Sequence, residues 1–444
     1  MQLSTPELLI LSGLIGLVAF ECFLSIRSQS WVQIYRPTLF IAVVLGFYVL
    51  VGPLRAILST GEAANFVGTS GTIYRGLDHR PFLIWGWVGA FISYASILVG
   101  FYIYKPTLRF LRKRIVKASL STIRLYGLCL CWLGLIMYAL VNGDRLIYLL
   151  NPFRPDEFSA TIFGFSGLIS GPFQNYFQLA INFLIPGILI QFTVWLRDRK
   201  QLLSLILWSC LAVSIYLSEA FRYRILLLFI PMILLWLFYA KKRPKIVALV
   251  IFMLAFVGVN GIIGLSRTNI RGLDLSRTAS YSPLEVFVSS FEEAGVFFTT
   301  SAVINAVPSK APYAYFAPIV ATISQPIPRA LYPQKPKAEY SSSIREFIYS
   351  SPTSFTAYLN YAEYYLVWGW ATVVLFSLLL GILIRRLWSW FLQHQHEPLP
   401  QAIYLLNATF LYVVVSRGYL AQVVVLYGFT VLPAYIIFLM LSRK

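Results

Sequence analysis

Apolar positions in this chain come in long, nearly uninterrupted runs, and the polar positions between them are mostly few and charged. Runs close to the roughly 20 residues that cross a hydrocarbon core as a helix recur from end to end, without the two-residue alternation of a barrel strand. They predict about eleven spans, at roughly 6–26, 37–58, 82–104, 119–142, 174–196, 202–218, 224–240, 245–265, 356–384, 401–416 and 420–441. The sixth, seventh and tenth are the short ones. Only helices and closed barrels satisfy their backbone inside lipid, so the pattern predicts an all-α polytopic integral membrane protein. The whole chain, 1–444, reads as one membrane domain.

One polar stretch, 266–355, breaks the rhythm between the eighth and ninth spans. Within it, Ser282-Pro283-Leu284-Glu285 has the form of a capping box with proline at the first helical position. Phe287, Phe291, Ala294, Phe298 and Ala302 follow at helical spacing and make one apolar stripe, with Glu292 and Glu293 off it. An amphipathic helix is expected here, ending near Pro308 and lying on the membrane surface or against the bundle. A second short helix is expected over 317–323. Pro326, Pro328, Pro333 and Pro336 then predict an extended, stiff segment that fixes Arg329, Tyr332 and Lys335 in space.

Composition agrees with this class: 58% of the 444 residues are hydrophobic and 12% charged, which excludes a soluble globular domain. The net charge of +19 would ordinarily raise nucleic acid as a partner, but its placement assigns it to membrane anchoring instead. One set of loops carries Arg27 and Arg36, then Lys105, Arg109, Arg112, Lys113, Arg114 and Lys117, then Arg197, Arg199 and Lys200. Lys241, Lys242, Arg243, Lys245, Arg385, Arg386, Arg443 and Lys444 complete it, with Asp198 and Glu397 as the acids alongside. The positive-inside rule puts these loops in the cytoplasm, the N-terminus outside and the C-terminus inside. The long polar stretch is then extracytoplasmic. It nonetheless keeps Arg267, Arg271, Arg277, Lys310, Arg329, Lys335, Lys337 and Arg345. Cations retained on the disfavoured side point to a grip on an anionic, membrane-tethered substrate.

The first apolar run lacks a basic leader and a small-residue cleavage signal, so it is expected to be a retained helix. Cys22, Cys129, Cys131 and Cys210 all fall in apolar runs, without metal-site spacing or a disulfide pattern.

Candidate chemistry concentrates in short outer turns. Ser218-Glu219-Ala220-Phe221-Arg222-Tyr223-Arg224 joins two apolar runs, and half-burying two arginines at a helix end is costly unless they are paired or used. Glu219, three residues before Arg222, is placed to hold that guanidinium across one turn. Ser416-Arg417-Gly418 makes another tight outer turn. Glu363 sits near the outer end of an apolar run, as a partner for one of these arginines or as a proton acceptor. Glu21, deep in the first span, is expected to pair with Arg124 or to sit in a polar seam. His79 is the one outer histidine, in a solvated loop; His394 and His396 are cytoplasmic. There is no P-loop, GxGxxG, HExxH or EF-hand pattern, and no Asp-x-Asp pair; Asp156-Glu157 is the one adjacent acid pair on the outer face. No metal and no cofactor is implied.

The order of these pieces resembles the Wzy-type oligosaccharide repeat-unit polymerases of bacterial envelopes. The resemblance rests on ten or more spans, a long outer loop before the last few, and the Arg-bearing turn from Ser218 to Arg224. It rests also on Ile327-Pro328-Arg329, Pro333, Lys335-Pro336, and Ala362-Glu363-Tyr364-Tyr365 with Trp368-Gly369-Trp370. The Arg-x10-Gly spacing described for some members is met by Arg417 with Gly428 and by Arg75 with Gly86. The resemblance implies a GT-C-like architecture and metal-independent, inverting glycosyl transfer at the outer face of the bacterial inner membrane. Its substrate would be a polyprenyl-pyrophosphate-linked oligosaccharide, with chain-length regulator and flippase proteins as partners. Under this reading Arg222, Arg329 and Arg417 converge on the pyrophosphate, backed by Arg224, Arg267 and Arg271, because guanidinium forks bind phosphate oxygens in pairs and stay charged. Glu363 or Glu219 would orient an arginine or take the acceptor hydroxyl's proton, and Tyr332, Tyr313 and Tyr315 would stack on sugars, with Lys335 beside them. A ligase that attaches a finished glycan, and a lipid-linked oligosaccharide flippase, are the alternatives.

Overall fold

A helix that is apolar all round is stable only against lipid or other helices, and the described part of the chain is a bundle of such helices. The computed structural model describes residues 4–28, 30–53, 82–105, 115–116, 118–143, 173–219, 222–240, 291–335 and 357–443, with isolated positions between 258 and 286. In chain order the helices are α1 (Thr5–Arg27), α2 (Pro37–Gly46, continuing to Val51), α3 (Leu83–Ile103) and α4 (Leu120–Asn142). Next come α5 (Gln174–Asp198, with a 3-10 turn at Ala180–Phe183), α6 (Leu202–Ser218), α7 (Arg222–Ala240), α8 (Val296–Ala306) and α9 (Ala317–Ser324). The chain finishes with α10 (Asn360–His394), α11 (Pro398–Ser416), α12 (Leu420–Thr430) and α13 (Leu432–Leu441).

Against the expected eleven spans, seven described helices are long and apolar enough to cross a membrane, with an eighth if the pair α12 and α13, bent by 41°, is one span. Two more, Pro37–Val51 and Leu202–Ser218, are apolar but shorter. The span expected at 245–265 lies outside the described residues. The chain is therefore a polytopic helical membrane protein.

Small residues set the tightest packing. Helices α3 and α10 run parallel, with Ser93 Oγ and Ser377 Oγ 2.8 Å apart. A Cβ on Gly100 or Gly381 would strike the carbonyls of Leu378 and Ile97 respectively, so glycine is what lets the backbones touch. Gly127 of α4 and Gly187 of α5 meet in the same way. In the most apolar stretch of α11, 89% is buried, against 17% for α1, which makes α11 the centre of the bundle and α1 its edge.

The described parts of the loops assigned to the cytoplasm by charge gather at one end. There Arg124 pairs with Asp198 at 2.5 Å, Arg197 donates to the His396 carbonyl and Arg386 to the Tyr104 hydroxyl. Ile115–Val116 forms a two-residue antiparallel ladder with Ser442–Arg443 beside Glu397, which accepts from the Val116 amide. Of the two expectations for Glu21, the polar seam is the one found: Arg36 stands 3.6 Å away, and the Thr38 and Tyr102 hydroxyls both donate to it. Arg124 is committed to Asp198 because both lie at the cytoplasm-assigned ends of their helices.

Of the two placements expected for the first helix of the outer loop, the structure takes the one against the bundle: α8 is almost wholly buried, against α3 and α10, and ends at Ala306, close to the expected Pro308. Its start at Ser282–Glu285 falls largely outside the described residues. The proline run, by contrast, is not extended. Successive turns close on themselves, with Ile327 N donating to Ser324 O, Leu331 N to Pro328 O and Lys335 N to Tyr332 O. Proline's fixed φ suits the second position of a tight turn as well as an extended strand, and local hydrogen bonds decide between them.

Candidate functional site

The turn after α6 and the turn after α11 meet at the end of the bundle opposite the cationic loops. Both are held by helix packing, since α7 lies along α11. Arg222 and Arg224, in the first turn of α7, are buried. The Arg224 guanidinium lies 5.8 Å from the ring centres of both Tyr216 and Tyr223. Arg417 reaches the same Tyr223 ring at 6.0 Å. Tyr223 thus sits between two cations, an arrangement that the negative face of an aromatic ring favours.

Carboxylates complete the cluster. Arg417 Nη2 stands 3.5 Å from Glu293 Oε1, and Glu293 Oε2 accepts from the Tyr412 hydroxyl at 2.6 Å. Glu219 accepts from the Tyr138 hydroxyl at 2.7 Å and is near enough to act on the charge of Arg224. Burial by itself would lower the Arg417 pKa, but Glu293, Tyr412 and Tyr48 reverse this, and the net value lies above that of an ordinary arginine. Its cation is therefore permanent. The Arg417 side chain is 33% exposed.

Glu363 stands at the second side of the Arg417 turn. It is buried, and its Oε2 accepts the Leu420 amide at 2.6 Å, which satisfies one of the orphan donors at the start of α12. Gly418 N bonds to the Tyr358 carbonyl at 2.6 Å, and Tyr358 lies so close that a Cβ at Gly418 would clash with it. Segment 357–363 thus clamps the turn that carries Arg417. The bond to Leu420 gives Glu363 a capping task, which is neither the arginine pairing nor the proton acceptance expected for it.

The proline-rich loop has its own internal logic. Lys335 is buried, and its ammonium donates to Gln325 O at 2.7 Å and Ile327 O at 3.1 Å, while Arg329 Nη1 donates to Lys335 O at 3.1 Å. Burial, then the charge of Arg329, lowers the Lys335 pKa. Lys335 is therefore a pin of the loop, with its donors turned inward. Arg329 is exposed and Tyr332 is half-exposed beside it. Arg224 and Arg417 meet at the Tyr223 ring and Arg222 is buried in the same first turn of α7, while Arg329 bonds to the Lys335 carbonyl of its own loop. Arg267 and Arg271 lie outside the described residues. Tyr313 and Tyr315 pair edge to face at 6.2 Å, and Tyr313 is 6.0 Å from Tyr365.

Its spacing puts Glu293 off the apolar stripe, and the structure places it in the 3-10 turn at Glu292–Gly295, against Arg417 and Tyr412. Tyr223 and Tyr412 carried no sequence signal, being two of 28 tyrosines. Among the described residues no group of three or more His, Cys, Asp or Glu is placed to hold a metal ion. No family model matches the chain, and neither a curated protein nor a solved structure matches it significantly.

Proposed function

We propose that this chain is a membrane glycosyltransferase that polymerises polyprenyl-pyrophosphate-linked oligosaccharide repeat units. It works at the outer face of a bacterial inner membrane, N-terminus outside and C-terminus in the cytoplasm. The observation that carries the reading is the meeting of Arg417 and Arg224 on one tyrosine, with Arg222 buried in the same first turn of α7. A pyrophosphate leaving group gains charge as the glycosidic bond breaks, and fixed guanidiniums stabilise that charge without reorganising. Arg417, part exposed and permanently charged, is the group that meets the phosphate, while Arg224 and Arg222 supply the buried field behind it.

In the reaction, the acceptor unit's hydroxyl oxygen attacks the anomeric carbon of the donor chain. The bond from that carbon to the pyrophosphate oxygen breaks with inversion, polyprenyl pyrophosphate leaves, and the hydroxyl proton passes to a carboxylate such as Glu219. Chain-length regulator and flippase proteins are the expected partners in the membrane. The test is Arg417→Ala and Arg222→Ala in a deletion host, scored by glycan length on a gel of membrane glycans. Loss of polymer at normal chain level is expected. Full-length polymer from both variants overturns the reading. Arg417→Lys separates a paired grip on phosphate from plain charge.

A further inference from the structure

A second feature lies at the same end of the bundle. Helix α10 is broken at Trp368–Gly369, where Gly369 has φ +68° and ψ −150°, a conformation essentially open to glycine alone. The break is built rather than frayed. The Trp368 amide donates to Thr372 Oγ1 at 3.0 Å, that hydroxyl is 2.6 Å from the Tyr364 carbonyl, and Ala314 of the outer loop donates to the Leu366 carbonyl at 2.7 Å. Tyr315, next to Ala314, is itself a non-glycine residue at φ +46°. Irregular backbone inside a membrane bundle is tolerated where protein or a water-filled cavity covers it, and discontinuous helices tend to mark substrate sites.

The break organises aromatic rings. Trp85 lies 6.3 Å from Trp370, Trp370 lies 4.8 Å from Tyr365, Tyr365 lies 6.0 Å from Tyr313, and Tyr313 lies 6.2 Å from Tyr315. The row is buried in its middle and open at its ends: Trp85 is 41% exposed and Tyr315 is 56%, and Trp368 at the break itself is 67% exposed. It is also tied to the arginine turn by one short segment, 358–369, which bonds Gly418 and Leu420 at one end and carries Trp368 at the other. At 1.5 Å per residue, the helical part from Asn360 to Val367 is about 12 Å long, on the scale of two or three linked sugar rings.

We propose that these exposed rings, Tyr315 and Trp368 foremost, form a subsite for the sugar rings of the lipid-linked glycan whose pyrophosphate meets Arg417. This rests on the polymerase reading above. The chemistry is stacking: pyranose rings present an apolar C–H face that suits a flat aromatic, while the sequence-distant phosphate end needs charge. Two kinds of surface, one cationic and one aromatic, joined by a rigid segment, match the two ends of such a substrate. Tyr315 and Gly369 are held in sparsely populated conformations by the surrounding hydrogen bonds, which fixes where the rings sit.

The experiment compares Trp368→Ala, Trp368→Phe, Trp368→Leu and Tyr315→Ala with the wild type and with Arg417→Ala, in the deletion host. The readings are polymer per copy of membrane-inserted chain and accumulation of single lipid-linked units. Trp368→Ala, Trp368→Leu and Tyr315→Ala are expected to lower polymer about fivefold with single units accumulating, whereas Trp368→Phe stays within about twofold. If Trp368→Leu equals the wild type, or if the variants lower only the amount of chain in the membrane, the rings are interfacial anchors and the subsite is overturned. Arg417→Ala making full-length polymer overturns the reading beneath it. Arg417→Ala inactive with Trp368→Leu and Tyr315→Ala fully active overturns the subsite alone.

Discussion

Replacing Glu293 by glutamine isolates the contact that holds Arg417. The side chain keeps its shape and one acceptor for the Tyr412 hydroxyl, but the carboxylate 3.5 Å from Arg417 Nη2 loses its charge. At an effective dielectric constant near 20, that pair attracts by about 5 kcal/mol before desolvation. Both side chains are about a third exposed, and the cost of withdrawing two ions from water offsets much of the attraction, so a net coupling of about 1–2 kcal/mol is expected. The assay is a double-mutant cycle of Glu293→Gln and Arg417→Gln, read as unfolding free energy in mixed micelles. The single variants should each lose about 1–2 kcal/mol, and the double variant clearly less than their sum. A coupling below about 0.3 kcal/mol refutes the reasoning, because Arg417 would then be positioned by Tyr223 and the backbone alone. In the glycan assay Glu293→Gln should shorten chains without abolishing them, since Arg417 stays charged but is less well aimed.

Other consequences are open to measurement. Glu363→Gln should keep the bond to the Leu420 amide and most of the stability, and Glu363→Ala should cost about 0.5–2 kcal/mol of unfolding free energy; full glycan synthesis by Glu363→Gln would confirm capping, and its complete loss would restore a role as proton acceptor. Lys335→Met should remove two charged donors from the turns at 325–335 and cost about 1–3 kcal/mol, seen as faster proteolysis of that loop; unchanged cleavage would show that the turns hold themselves. Gly369→Ala should destabilise by about 1–3 kcal/mol, because an L side chain is strained at that φ and ψ and its Cβ would meet the Tyr313 hydroxyl at 3.0 Å; a melting temperature equal to wild type would mean that α10 straightens without penalty.

Much of the architecture was legible as sequence because lipid imposes one rule at every position: backbone polar groups must be bonded within the segment, so a long apolar run becomes a helix wherever it sits. The described helices between Thr5 and Leu441 follow the runs closely for this reason, and the described cationic loops gather at one end. The two arginine turns were visible too, since a cation between apolar runs is costly enough to stand out. Three things needed the tertiary structure. Glu293 meets Arg417 from a short 3-10 turn, and which arginine it would face is not reported by periodicity. Lys335 turns inward and closes the proline-rich loop because carbonyls 8 and 10 residues earlier are brought within reach. The break in α10 is supported by Thr372 and by the Ala314 amide, a bond between residues 52 apart in the chain, so Gly369 looked like any of 27 glycines until its neighbours were in place. Local preferences act along the chain and can be read from it; which carboxylate faces which arginine depends on contacts between distant segments, and those exist only once the helices are packed.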